Sequence, residues 1–361
     1  MIYIVYDDSV LYSTGIWKKV QAQYRVFKKQ FGTAYYTLYS GQMMCLYMED
    51  KLLEKELAIT KKECNEAIVK WIEKYKISKI YIRIYSADRQ DILFYERMNK
   101  MNVKIIVEFP SLMDNLNIVD SKIVAVEDQF YRNQMHQYIK RCTTYHNVEH
   151  AYGIPCITLV NGVDIDEQPL KKCRKKDGRI VLLAVAAYSK WHGYERVIEG
   201  LHKYYEEGGK RNIIFNLAGN GGQLGYYEHL VKKYELHTHV NFCGGLYGKE
   251  LDEIYDNSDI AIGSLGFYKA NLSSGAPIKL REYCARGIPF VYGYDDISFH
   301  NNIYYAKRVP NDATALIMDE IVEFYDSVYD GRNFVKDMRQ YAIENLTWET
   351  ILQPVIDFYL N

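Results

Sequence analysis

The chain has 361 residues, more than one hydrophobic core comfortably supports, so two domains are expected. Its composition is 48% hydrophobic and 25% charged with a formal net charge of −1, which argues against a dedicated, strongly basic nucleic-acid binder. Seven scattered cysteines (Cys45, Cys64, Cys142, Cys156, Cys173, Cys243, Cys284) are odd in number and never closely spaced. That pattern opposes a disulfide framework or a zinc knuckle and suits a reducing compartment. The 35 tyrosines are spread along the whole chain and read as ordinary packing. The start, MIYIVY followed by Asp7 and Asp8, lacks the charged head and cleavage site of a signal peptide. No apolar run approaches the roughly 20 residues needed to span a bilayer, so a cytoplasmic protein is expected.

In chain order, the patterning predicts a strand at 2–6, a helix at 16–30 and a strand at 34–39. Helical periodicity follows over 51–76, then a strand at 80–84, a helix at 90–100 and a strand at 103–107. Weaker strand-like runs lie at 142–145 and 156–160. This alternation is that of a parallel sheet covered by helices. Residues 1–165 are read as the first domain. The charged, proline-containing stretch 166–178 reads as a linker, with the basic cluster from Lys171 to Lys176 solvated. The rhythm then restarts. Strands at 180–187, 213–218, 240–244 and 259–263 alternate with helices at 194–206, 224–234 and 249–256. The second domain is taken as 179–345. The helical tail breaks at Gly331 and Pro354, and its last part, 346–361, is expected to pack back on the first domain.

Small or glycine-rich loops follow nearly every strand of the second half: YSKWHG, GNGG, GGLYG and SLGFYKANLSSG. Glycine lets backbone N–H groups approach a ligand closely. The stretch NLSSGAPIKLREYCARGIPFVYG places Pro277 in the first turn of a short helix, Lys279 one turn in, and Gly287 at its end. A helix start presents free amides and the positive end of the dipole, which suits a phosphate. Four such loops on one sheet edge, with Lys190 and Lys279 among them, favour a pyrophosphate site.

These residues resemble a known family. LLAVAAYSKWHGYERVIEGL, FNLAGNG, VNFCGGLYGKELDEIYDNSDIAIGSLG and KLREYCARGIPF look like the carboxyl-terminal domain of a family 4 glycosyltransferase. YSTGIWKKV, IYIRIYSADRQDILFYERMNKMNVKIIVEFPS and ITLVNGVDID extend the resemblance to the first half, in particular to bacterial capsule and exopolysaccharide transferases. The resemblance implies an α/β protein of GT-B architecture, two Rossmann-like doubly wound domains facing a cleft. It also implies a metal-independent hexosyltransferase, acting with retention, that uses a UDP- or GDP-sugar as substrate and no cofactor. The acceptor would be a glycan or lipid-linked glycan in polysaccharide biosynthesis, and no nucleic acid would take part. In such enzymes the departing phosphate is thought to take the acceptor proton, so no side-chain nucleophile is required.

Carried over position by position, the second glutamate of the family's paired-glutamate motif falls on Glu282, which would hold the ribose hydroxyls; an exposed helix residue is the equal alternative. The first falls on Ser274, a departure that leaves sugar identity open. Gly275, Ala276 and Lys279 would meet the phosphates. Gly219, Gly221, Leu246 and Gly15 stand in loops expected to touch the donor. The family's arginine and lysine clamps fall on Ala187 and His192, so Lys190 and Lys279 would supply the positive charge, with His192 packing or donating. Glu108 would orient an acceptor hydroxyl or support charge on the sugar ring, or else tie down the Pro110 loop. Arg83 and Asp88 are either acceptor contacts or a local salt bridge.

The helix at 16–30 sets Ile16, Val20, Tyr24 and Phe27 on one face and Lys18, Arg25 and Lys29 on another. It could lie on anionic lipid, giving peripheral contact with the inner face of the membrane; a core-packed helix with a solvated face is the alternative. Two other functions stay open, a sugar-nucleotide epimerase of the same fold and a non-catalytic partner of an active transferase.

Overall fold

The computed structural model describes residues 1–6, 14–110, 112, 122–172, 174–299 and 303–361. The chain forms two compact units, Met1–Val160 with Trp348–Asn361, and Asn161–Thr347.

The first unit is built on a nine-stranded sheet of order β4-β3-β2-β1-β5-β6-β7-β9-β8. Its strands are β1 Ile2–Val5, β2 Tyr35–Ser40, β3 Met43–Met48, β4 Lys51–Leu57, β5 Lys79–Arg83, β6 Lys104–Phe109, β7 Arg141–Thr144, β8 His150–Ala151 and β9 Ile154–Thr158. Between them run the helices α1 Thr14–Phe31, α2 Lys61–Lys74, α3 Arg89–Lys100 and α4 Lys122–Arg132. Strands β1, β5, β6, β7 and β9 are parallel. In each of the first four at most one side chain is not buried, as expected for strands covered on both faces, whereas in β9 only Ile154 is buried.

Here the structure departs from the helical reading of 51–76. Residues 43–57 form an antiparallel hairpin, and the helix starts only at Lys61. KLLEKEL is made of good helix formers, but cross-strand pairing with Met43–Met48 decides its state. The two-residue turn of this hairpin is Glu49 and Asp50, with Glu49 at positive φ (56°), and the turn from β2 into β3 at Gly41 and Gln42 (56° and 64°) is the glycine signal that marks the meander. Thr60 and Glu63 form the capping box that marks the true helix start.

Helix α1 buries Val20, Tyr24 and Phe27 and also Lys19 and Gln23; Lys18, Arg25 and Lys29 are exposed. Most of its apolar side is therefore core. Among the described residues, no helix is long and apolar enough to cross a membrane. The last helix, α11 Trp348–Leu360, packs against this core through Leu352, Val355, Ile356 and Tyr359. Pro354 lies inside it rather than breaking it, on an exposed position where one missing backbone bond is offset by the buried face.

The second unit carries a six-stranded, wholly parallel sheet of order β12-β11-β10-β13-β14-β15. The strands are β10 Arg179–Val185, β11 Asn212–Ala218, β12 Val240–Gly244, β13 Ile260–Ile262, β14 Phe290–Tyr292 and β15 Ala306–Arg308. Its helices are α5 Glu195–Glu206, α6 Leu224–Lys233, α7 Gly248–Asp256, α8 Ile278–Arg286, α9 Met318–Val328 and α10 Phe334–Asn345. The strand order reverses between β10 and β13, which makes their carboxyl ends the topological switch point, the usual place for a ligand in an open α/β sheet.

Residues 166–178, expected as a linker, belong to this unit. Lys171 is buried, with its Nζ donating to the Asp256 carbonyl at 3.2 Å, and the Arg174 guanidinium pairs with Asp259 at 2.8 Å. Charge density reads as solvation in sequence, yet these cations find carbonyls and a carboxylate in the fold.

Candidate functional site

The switch point of the second unit is assembled by backbone packing. The loop after β10 contains a single 3-10 turn, Lys190–His192, closed by Gly193 in the left-handed conformation (φ 64°). A Cβ at Gly193 would lie 2.6 Å from the Gly266 nitrogen, so only glycine lets this loop sit against the loop after β13. The two are joined by Leu265 N–H to the His192 carbonyl (2.8 Å) and Gly266 N–H to the Trp191 carbonyl (3.1 Å). The buried Arg196 guanidinium donates to the Leu265 and Thr314 carbonyls, both at 2.6 Å, and holds the second loop from beneath.

GNGG serves the same packing. A Cβ at Gly219 would stand 1.9 Å from the Ala186 oxygen, and one at Gly221 2.4 Å from the Tyr188 nitrogen. The Gly219 amide donates to the Gly244 carbonyl at 2.6 Å. These glycines thus bring three loops together, and the Gly219 N–H is already spent on that contact. The Gly275 amide is likewise taken, by the Asp295 carbonyl at 2.9 Å. Leu246, half-buried, packs against the core. Gly15 lies inside the first turn of α1, not in a loop before it, while Tyr12 and Ser13 of the YSTG motif, like Asp7 and Asp8, lie outside the described residues.

Helix α8 begins one residue later than expected: Pro277 is the N-cap, with extended backbone (φ −58°, ψ 138°). No side chain caps this end. The first amides of such a helix have no intrahelical partner, and a proline cap offers no oxygen to satisfy them. The sequence reading missed what anchors this helix. The buried Arg281 pairs bidentately with buried Asp296, donates to Ser298 Oγ at 2.6 Å and to the Asn161 carbonyl at 3.2 Å. Asn161 Nδ2 in turn donates to the Ala276 carbonyl at 2.8 Å. Asp296 and Ser298 lie on the loop after β14 and Asn161 some way before the helix, so no motif within the helix reveals them.

Lys279 stands half-buried in the first turn of α8, its Nζ donating to the Tyr194 hydroxyl at 3.3 Å. Desolvation pulls its ammonium down to about 7, against the opposing pull of the Glu282 carboxylate one turn on. His192 is buried, stacks on Tyr194, and accepts from the Ser189 N–H through Nδ1 at 3.0 Å. Nδ1 as acceptor assigns the ring proton to Nε2. Burial, reinforced by Lys279, lowers its pKa to about 3, so it is a neutral imidazole at ordinary pH. Glu282 is half-buried on the same helix face as Lys279; Ser274 and Lys190 are exposed. Lys190 pairs with no carboxylate among the described residues.

Glu108 belongs to a different cluster, within the first unit. It is fully buried and receives Arg83, the Tyr145 hydroxyl (2.9 Å), the Tyr3 hydroxyl (3.3 Å) and, at 3.7 Å, Lys19. Desolvation would raise its carboxyl, but Arg83, then Lys19 and Tyr145, outweigh it and hold the pKa below the ordinary value. Burial draws Lys19 down to about 7 despite Glu108, and its ammonium sits 3.4 Å above the Tyr145 ring. Arg83 is thus the buried partner of Glu108, and Asp88 caps α3, accepting from the amides of Gln90 and Asp91. Among the described residues, no three His, Cys, Asp or Glu side chains gather into a metal-type group.

Residues 166–297 match the family model of glycosyl transferases group 1. The matched stretch holds every switch-point residue named above except Asn161, Ser298 and Thr314. No curated protein matches the chain by sequence. Among solved structures, a glycosyltransferase from Rickettsia africae ESF-5 is similar at 17% identity and a TM-score of 0.68, covering 99% of this chain and 97% of that one. Sucrose-phosphate synthase from Thermosynechococcus elongatus is similar at 14% identity and TM-score 0.62, covering 99% and 98%. HepE of Anabaena, in complex with UDP and glucose, is similar at 11% identity and TM-score 0.63, covering 100% and 99%. The shared architecture is GT-B, a pair of Rossmann-like α/β domains.

Proposed function

We propose that the chain is a glycosyltransferase that moves a hexose from a nucleotide-diphosphate donor to a glycan or lipid-linked glycan acceptor. The observation that carries this reading is the uncapped amino end of α8, with Lys279 in its first turn, at the switch point of a sheet inside the stretch matched by the glycosyl transferases group 1 model. Free amides and an ammonium group suit the two linked phosphates. The UDP and glucose held by HepE support a uridine donor. Glu282 would accept the ribose hydroxyls, and Lys190 would reach the diphosphate from the opposite loop. The exposed Ser274 would lie at the sugar. Reaction would proceed without metal and with retention, the leaving phosphate taking the acceptor proton, which asks of the protein only positioning and charge stabilisation. The buried Glu108 cluster would support the acceptor side as a rigid base.

Calorimetric titration with UDP and GDP tests the placement. Wild type is expected to bind one of them, and Lys279→Ala to bind it about tenfold more weakly, as for loss of a charge-assisted contact. Equal affinity of the two proteins for both nucleotides would overturn it.

A further inference from the structure

Two cysteines outside the proposed donor site are placed to act together. Cys142 on β7 and Cys156 on β9 are register partners on adjacent parallel strands. Neighbouring strands run about 4.8 Å apart, inside the Cα separation of about 4.4–6.8 Å that a disulfide spans. The two Sγ atoms are 3.1 Å apart, and both thiols are reduced in this structure.

The pair is asymmetric. Cys142 is fully buried, with its Sγ 3.7 Å from the Ile154 and Pro155 carbonyl oxygens. Cys156 is half-exposed and lines a cavity of about 890 Å³ at the amino ends of β6 and β7, together with Lys104, Lys140 and Arg141. The hydrogen bond from Cys142 lowers the Cys156 pKa and raises that of Cys142, so the accessible sulfur is also the more acidic.

We propose that Cys142 and Cys156 form a redox-active pair that a small hydroperoxide converts to an intrachain disulfide, with Cys156 as the attacking sulfur and Cys142 as the resolving one. The Cys156 thiolate attacks one peroxide oxygen, the O–O bond breaks, and hydroxide leaves to become water, giving a sulfenic acid. The Cys142 thiol then attacks that sulfur, the S–O bond breaks, and the departing hydroxide takes the Cys142 proton. Two thiols and one hydrogen peroxide become one disulfide and two waters.

The test treats the folded full-length chain with one equivalent of hydrogen peroxide, alkylates it in denaturant, and maps non-reduced peptides. The expected result is loss of two hydrogen masses, a peptide joining Cys142 to Cys156, and both thiols restored by a phosphine. Cys142→Ser should instead leave a dimedone-reactive sulfenic acid at Cys156, and Cys156→Ser should leave Cys142 unmodified. The wild-type map does not depend on either variant folding. Both thiols alkylated after peroxide, a bridge to any other cysteine, or sulfinic acid at Cys156 without a bridge would each overturn the proposal.

Discussion

Lys19 and Lys279 share one perturbation, since burial draws each ammonium down to about 7. Their surroundings differ. Lys19 sits over the Tyr145 ring beside Glu108, in a cluster whose carboxylate already receives Arg83 and two tyrosine hydroxyls. Lys279 has one hydroxyl partner and a carboxylate one turn away, next to helix amides that no side chain caps. A displaced pKa therefore does not identify a binding site by itself. The first cluster is closed and reads as architecture; the second has donors to spare and reads as a place for an anion.

The largest effect expected from breaking this contrast lies in the closed cluster. Glu108→Ala leaves Arg83 and Lys19 buried without their carboxylate, and should cost about 3–5 kcal/mol in urea unfolding. A loss below about 1 kcal/mol would show that the cluster is not closed. Lys19→Met and Lys279→Met then form a crossed pair. The first should leave UDP affinity unchanged, and the second should weaken it about tenfold in calorimetry. An effect from both would dissolve the distinction drawn here.

The pH dependence sharpens it. Below pH 7 Lys279 is protonated and, on the proposed placement, would meet the diphosphate as a cation; above pH 7 binding would have to take up a proton. The dissociation constant for UDP-glucose, whose phosphates do not titrate in this range, should rise by up to about tenfold between pH 7 and 8. Lys279→Met should abolish that slope. The smallest effect is expected at Tyr194→Phe. It removes the 3.3 Å hydrogen bond to Lys279, so affinity should change about twofold to tenfold, with the pH midpoint displaced. An unmoved midpoint would mean that Tyr194 only packs.

Much of this was legible from residue order. The βα rhythm placed ten of the strands within a few residues, because buried parallel strands and amphipathic helices carry their periods in the chain itself. Gly287 marked the end of α8 through its left-handed cap. The β3–β4 hairpin was not legible, since KLLEKEL satisfies a helical pattern until Met43–Met48 pairs with it. Nor was the reason for GNGG: its glycines answer to the carbonyl of Ala186 and the backbone of Tyr188, a whole helix earlier in the chain.

Sequence alone determined the two α/β repeats, the proline-led start of α8 and the lysine in its first turn, all of which depend on residues only a few positions apart. Tertiary structure decided that Glu108 is enclosed among Arg83, Lys19 and Tyr145, that Arg281 is locked to Asp296, and that Lys279 loses much of its solvent. Solvent exclusion and ion pairing depend on distance through space, and folding sets that distance between residues far apart along the chain.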